Sequence, residues 1–210
     1  MPDAGIDAVV FDIGGVLLDW DPRHLYRKLF DDPAEMNEFL DRICTPRWHL
    51  SHDLGADIEA SCRSLADRHP GHADLIMAWW RRGEEMIAGQ IDGTVTILAD
   101  LKTAGIRCYA LSNMEADRFV VRRHRYPFFE LFDGWVISGI EGVAKPDPAI
   151  FDLLLTRYRL SPARTAFIDD SGPNVRAAAG LGLAAVEFSS PDRLRRDLRD
   201  LGLAVPVGQV

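Results

Sequence analysis

The sequence predicts an α/β fold, a Rossmann-like parallel sheet core with an inserted α-helical cap. Two observations carry this expectation. Five short apolar runs, each closed by polar or glycine residues, alternate with stretches of helical periodicity. Between the first run and the other four, residues 21–90 show helical periodicity alone. Strands that alternate with helices bury both faces of a parallel sheet through right-handed crossovers.

The runs are Asp7–Phe11, Ile106–Leu111, Gly134–Ile137, Thr165–Ile168 and Leu183–Val186. They are short and rich in β-branched or aromatic residues, or bounded by Gly or Asp, as buried parallel strands are. The helices between them carry their own punctuation. Thr94 to Ala104 places Ile97, Leu98 and Leu101 on one face and stops at Gly105, a C-terminal glycine cap. Asp147-Pro148 reads as an N-cap and first-turn proline, ahead of Ile150, Phe151, Leu154, Leu155 and Tyr158 at helical spacing. Ser171 to Ala179 ends at Gly180. In the insert, Met36, Phe39, Leu40 and Ile43 make one apolar stripe, Ile58, Cys62 and Leu65 a second, and Leu75, Ile76, Trp79 and Trp80 a third. Nothing in the insert reads as a strand. The expected division is therefore a core domain of residues 1–20 and 91–210 and a helical cap of residues 21–90. The tail after Leu203 is expected to fray.

Composition narrows the function classes. Of 210 residues 47% are hydrophobic and 27% charged, which excludes intrinsic disorder. A net charge of −8 argues against nucleic acid held by bulk electrostatics. No apolar run reaches the length that spans a bilayer, and the start has no basic segment of a signal peptide. Cys44, Cys62 and Cys108 show no CxxC spacing and read as reduced thiols. The expectation is a cytoplasmic protein, monomer or homodimer, that binds neither membrane nor nucleic acid.

In an open parallel sheet, ligands bind beyond the carboxyl ends of the strands. The residues there are Asp12 and Gly14, Ser112 and Asn113, Lys145 in the segment 142–146, and Asp169-Asp170-Ser171. A carboxylate, a hydroxyl, an ammonium and a carboxylate pair suit a phosphate ester or a similar electrophile. The carboxylate attacks to form an acyl phosphate, which water then hydrolyses. Charge on attacker and substrate must be offset together, and a hard cation such as Mg²⁺ held by oxygen ligands does this. Asp12 and Asp170 each offer one oxygen and the Gly14 carbonyl a third. Lys145 and hydroxyl or backbone donors would hold the phosphoryl oxygens.

The segments FDIGGVLLD, LSN, AKPDP and FIDDSGPNV, in this order and at these intervals, resemble the four motifs of the haloacid dehalogenase (HAD) superfamily. The likeness is greatest to its phosphatases with a helical cap after the first strand, including the glucose-1-phosphate phosphatase type and the phosphatase domain of soluble epoxide hydrolase. It covers nearly the whole chain. The resemblance implies Asp12 as nucleophile, and Ser112 with the Asn113 backbone as phosphate binders. It implies Lys145 as the residue that steadies nucleophile and phosphoryl group, Asp170 as metal ligand and Asp169 as an outer or auxiliary one. Asn174 then supports the metal site from behind. The implied activity is Mg²⁺-dependent hydrolysis of a small phosphorylated metabolite, a sugar phosphate being one possibility. A 2-haloacid dehalogenase and a weakly catalytic interaction module of the same fold are the alternatives.

One position departs from the pattern. Phosphatases of this type usually carry Asp two residues after the nucleophile, where it protonates the leaving oxygen. Here that residue is Gly14. Asp19, His49 or His52 supplies the proton, or the leaving group needs little help, or catalysis is weak. A halide leaves without a proton, yet two adjacent buried carboxylates without a cation are costly, so Asp169-Asp170 argues for metal chemistry. Arg47, Trp48, His49 and His52 read as a loop between helices that faces the crevice. Trp79-Trp80 reads as packing, and Arg118–Arg125 as a solvated helix face.

Overall fold

The computed structural model describes residues 5–205. Strand β1 (Ala8–Phe11) is followed by a short strand β2 (Leu18–Trp20) and by helices α1 (Pro22–Tyr26), α2 (Pro33–Arg42), α3 (Pro46–Asp53), α4 (Ile58–Arg68) and α5 (Ala73–Arg81). The chain returns through β3 (Ile87–Gln90), α6 (Asp92–Thr103), β4 (Arg107–Ser112), α7 (Ala116–Arg125) and β5 (Gly134–Ile137). It then forms α8 (Ser138–Glu141), α9 (Pro148–Tyr158), β6 (Thr165–Asp169), α10 (Gly172–Gly180), β7 (Ala184–Glu187) and α11 (Pro191–Asp200). No helix among the described residues is long and apolar enough to cross a membrane.

The five expected strands form one parallel sheet in the order β5-β4-β1-β6-β7, with β1 at its centre. Phe11 pairs with Ala110 on one side and with Ile168 on the other. One residue further along, Asp12, Leu111 and Asp169 therefore stand level at the carboxyl edge. Side chains alternate between two cores, as the period of a strand requires. Val9, Phe11, Cys108, Ala110 and Ile168 face a cluster that includes Ile97 and Leu101 of α6 and Leu194 and Leu198 of α11. Val10, Tyr109, Leu111 and Phe167 face Ile150, Phe151 and Leu154 of α9 and Ala178 of α10. The residues between β1 and β3 close a third cluster of their own, built on Tyr26, Phe39, Leu40, Cys62, Leu65, Ile76 and Trp79. The three cysteines are buried and unpaired.

Three expectations need correction here. The segment 21–90 does contain a strand: β3 pairs antiparallel with β2, joining Leu18 to Gln90 and Trp20 to Ile87. The sequence Ile-Ala-Gly-Gln is too short to show alternation. Its order comes from a partner seventy residues away, where the helical insert leaves and re-enters the core. The segment at Arg47–His52 is helix α3, not a loop, and Thr45 caps it by accepting from the Trp48 N–H at 3.1 Å. The tail does not fray at once after Leu203, because Val205 is buried; residues 206–210 lie outside the described part.

Candidate active site

Asp12 leaves the central strand and is 8% exposed. Its Oδ1 accepts from the Ile13 N–H at 2.7 Å and stands 3.0 Å from Lys145 Nζ. Lys145 is fully buried in its side chain, and its ammonium has three partners for its three protons. These are Asp12, the Leu111 carbonyl at 2.7 Å and Asp169 Oδ2 at 2.6 Å. Burial alone would lower the Lys145 pKa, but the two carboxylates outweigh it and keep the ammonium charged. Burial pushes Asp12 up to about 7, against the pull of Lys145 and with help from Asp169 and Asp170.

The loop that carries Lys145 is set by Asn113. The Asn113 amide donates to the Lys145 carbonyl at 2.9 Å, and the Lys145 N–H donates to Asn113 Oδ1 at 2.8 Å. The Asn113 side chain thus positions Lys145, and the residue also lines the cleft. Ser112 ends β4 and is 1% exposed. Asp169 is wholly buried and both its oxygens are engaged. Oδ1 accepts from the Ser171 N–H at 2.8 Å, Oδ2 from Lys145, and the Asn174 amide donates to both at 3.0 and 3.1 Å. Asp170 is exposed toward the cleft mouth. Gly15 makes room for it: at φ +73° it takes a conformation that side chains disfavour, and a Cβ there would overlap the Asp170 carboxylate.

Asp12, Asp169 and Asp170 each place an oxygen within 4.8 Å of the others. Three carboxylates face one ammonium, and repulsion from Asp169 raises the pKa of both Asp12 and Asp170, after burial. Hard oxygen donors with uncompensated negative charge are the set that a divalent cation such as Mg²⁺ fits. Asp12 and Asp170 have the freer oxygens; those of Asp169 are already spent on Lys145, Ser171 and Asn174.

A cavity of about 500 Å³ opens over this edge, lined by Asp12, Gly14 and Asp170 on the sheet side. Trp20 of β2 and His49 and Asp53 of α3 line it as well. His49 and Asp53 are four residues apart and share one face of α3, with His49 Nε2 3.8 Å from Asp53 Oδ2. The His49 ring stacks on Trp20 with centroids 5.2 Å apart. Burial lowers the pKa of His49, with Arg122 adding to it against Glu115. Asp53 is 7% exposed, and its Oδ1 has no hydrogen-bond partner among the described residues. Burial first, then Glu115 and Asp12, push its carboxyl up to about 8, against Arg122 and Lys145.

The sequence profile described as haloacid dehalogenase-like hydrolase matches residues 6–182. The chain belongs to this family. It is 26% identical over 194 residues to the sesquiterpene phosphatase astK of Aspergillus oryzae, covering 92% of this chain and 95% of that one. Its fold is shared with a HAD family enzyme of Bacteroides thetaiotaomicron in a magnesium complex (TM-score 0.72, 20% identity, 93% and 99% of the two chains). The same holds for the L-2-haloacid dehalogenase from Xanthobacter autotrophicus (TM-score 0.62, 22% identity, 96% and 85%). Fold alone therefore does not separate phosphatase from dehalogenase among HAD-like hydrolases.

In this HAD-like hydrolase, Asp12, Lys145, Asn113, Asp169, Asp170, Gly14 and Ser112 all gather at the one sheet edge. The three expected proton donors do not gather equally. Asp19 lines the cavity but its side chain is 54% exposed and pairs with His24 at 3.0 Å. His52 is fully buried beside His49, with ring centroids 5.7 Å apart, and its Nε2 meets Ser61 Oγ at 2.9 Å; burial lowers its pKa to about 4. Only His49 faces the cleft from within. Trp48 and Trp79 are packing residues, with ring centroids 5.3 Å apart.

Sequence reasoning missed Asp53, Glu115 and Arg122 as lining residues. The reading of Arg118–Arg125 as a solvated face holds for Val120 and Val121, which are exposed, but not for two of its arginines. Arg118 donates to the Trp80 carbonyl at 2.6 Å, and Arg122, 6% exposed, lies 3.3 Å from Glu84. Both tie α7 to the end of the insert. Their four-residue spacing was a legible sign that they share a face.

Proposed function

We propose that this hydrolase is a magnesium-dependent phosphomonoesterase that works through an aspartyl-phosphate on a small phosphorylated metabolite, the sugar phosphates included. The observation that carries the proposal is the Asp12–Lys145–Asp170 arrangement. A carboxylate oxygen is held by a buried ammonium, and an exposed carboxylate lies close enough to share a cation. Asp12 attacks phosphorus, while Lys145 holds the Asp12 carboxylate in line and offers charge to a phosphoryl oxygen. Ser112 and the Asn113 backbone donate to the others. Magnesium, when held by Asp12, Asp170 and the Gly14 carbonyl, supplies the positive charge that lets two anions approach. Water then opens the aspartyl-phosphate, releasing phosphate and restoring Asp12.

The dehalogenase alternative uses the same nucleophile but needs no cation, and three carboxylates set against one ammonium disfavour it. The test is phosphate release from p-nitrophenyl phosphate with magnesium and with EDTA. Magnesium-dependent turnover that Asp12→Asn abolishes and Lys145→Ala cuts by at least about 100-fold is expected. Activity that survives EDTA, or chloride release from 2-chloropropionate without phosphatase turnover, overturns the proposal.

A further inference from the structure

An alkyl phosphate cannot shed its alkoxide at neutral pH without a proton, and Gly14 has none to give. We infer that Asp53 of α3 is the general acid–base of this site. The inference rests on the phosphomonoesterase proposed above. As the bond from Asp12 to phosphorus forms and the ester P–O bond breaks, the Asp53 carboxylic acid passes its proton to the departing oxygen. The Asp53 carboxylate so formed then takes a proton from the water that attacks phosphorus, and the acid is restored as phosphate leaves.

Three observations converge on this residue. Asp53 and Asp12 line the same cavity, one from helix α3 and one from the sheet edge. In-line displacement sends the leaving oxygen away from the nucleophile, and so away from the sheet edge that carries Asp12. Second, Asp53 Oδ1 is buried and without a hydrogen-bond partner among the described residues, while Oδ2 lies 3.8 Å from His49. A buried carboxyl oxygen with nothing to bond costs free energy unless a ligand completes it. Third, the surroundings favour the protonated acid. Glu115 at the start of α7 and Asp12 after β1 face it with negative charge, and with burial they outweigh Arg122 of α7 and Lys145.

The other groups of the cleft fit less well. Asp19 is committed to His24 at the surface, and His52 is bonded to Ser61 and does not line the cavity. His49 does line it, but burial lowers its pKa and so disfavours the imidazolium that a proton donor needs.

The test compares kcat/KM for p-nitrophenyl phosphate, whose leaving group needs no proton, with that for ethyl phosphate, whose leaving group does. Wild-type, Asp53→Asn and Glu115→Gln proteins are assayed in magnesium from pH 5 to 10. Asp53→Asn is expected to lose about 10²–10⁴-fold with ethyl phosphate and only a few-fold with p-nitrophenyl phosphate. In the wild type, ethyl phosphate turnover should fall above about pH 8 while p-nitrophenyl phosphate turnover does not, a readout that needs no variant. Equal losses on both esters, a selective loss in Glu115→Gln instead, or parallel wild-type pH profiles would overturn the assignment to Asp53. A wild-type protein that releases phosphate from neither ester would refute the phosphomonoesterase itself.

Discussion

Asp53 is held as an acid at a thermodynamic cost that can be read directly. Its pKa is about 8 in the folded protein and near 3.8 when unfolded, so between these values the folded state binds more protons. Whatever stability the residue contributes is complete below about pH 4 and drains away as the pH rises toward 8. Asparagine has the same shape and no charge to desolvate. Asp53→Asn should therefore gain stability over the wild type as pH rises, by on the order of a few kcal/mol at pH 8 and above, measured by denaturant melts at several pH values. A constant difference across pH 5–9 would count against the protonated acid. Such a gain would match the usual trade of stability for activity at a functional position. It also explains why the residue escaped sequence reasoning. Asp12, Ser112, Asp169 and Asp170 are legible because a polar residue that ends an apolar run sits at the sheet edge by topology, and Lys145 because it lies in the loop segment 142–146 that follows another run. Asp53 sits on a polar helix, where spacing alone cannot tell a cleft wall from a solvated face.

At the level of elements, a strand or helix was legible where its own side chains set its partners. The five sheet strands and α9, with its Asp147 cap accepting from the Ala149 N–H at 2.9 Å, follow from local pattern. The β2–β3 ribbon does not, because three- and four-residue strands gain their order from each other across the whole insert. Helix α3 was missed for a related reason. It carries polar His49 and Asp53 toward the cleft and Trp48 toward Trp79, so no apolar stripe marks it. Its first turn depends on the Thr45 cap and on Pro46. Thr45→Ala should cost about 1 kcal/mol and lower Tm by about 2–4 °C. Because α3 holds His49 and Asp53 over the cleft, ethyl phosphate turnover should suffer more than p-nitrophenyl phosphate turnover. A Tm drop with no change in that ratio would mean that the cap serves stability alone.

At the scale of the whole molecule, the cleft between the sheet edge and helix α3 is electrostatically unfinished. The sheet edge brings Asp12, Asp169 and Asp170 together, with the Lys145 ammonium in contact with Asp12 and Asp169, in a chain already at −8. Arg118 and Arg122 pair with Glu84 and tie α7 to the insert, and Arg122 also lines the cleft. The folded state therefore carries carboxylate repulsion that the unfolded chain largely escapes, and a cation bound only by the folded state relieves it. Magnesium at 100 times its dissociation constant should add about 2.7 kcal/mol, and each kcal/mol raises Tm by about 2–4 °C at this chain length. Asp170→Asn separates this from a general salt effect. Without magnesium the variant should melt higher than the wild type, because one repelling charge is gone, and with magnesium it should gain little. The two melting curves should thus exchange order as magnesium is added at constant ionic strength. If the variant responds to magnesium as the wild type does, the ion binds elsewhere and the carboxylate cluster needs another explanation.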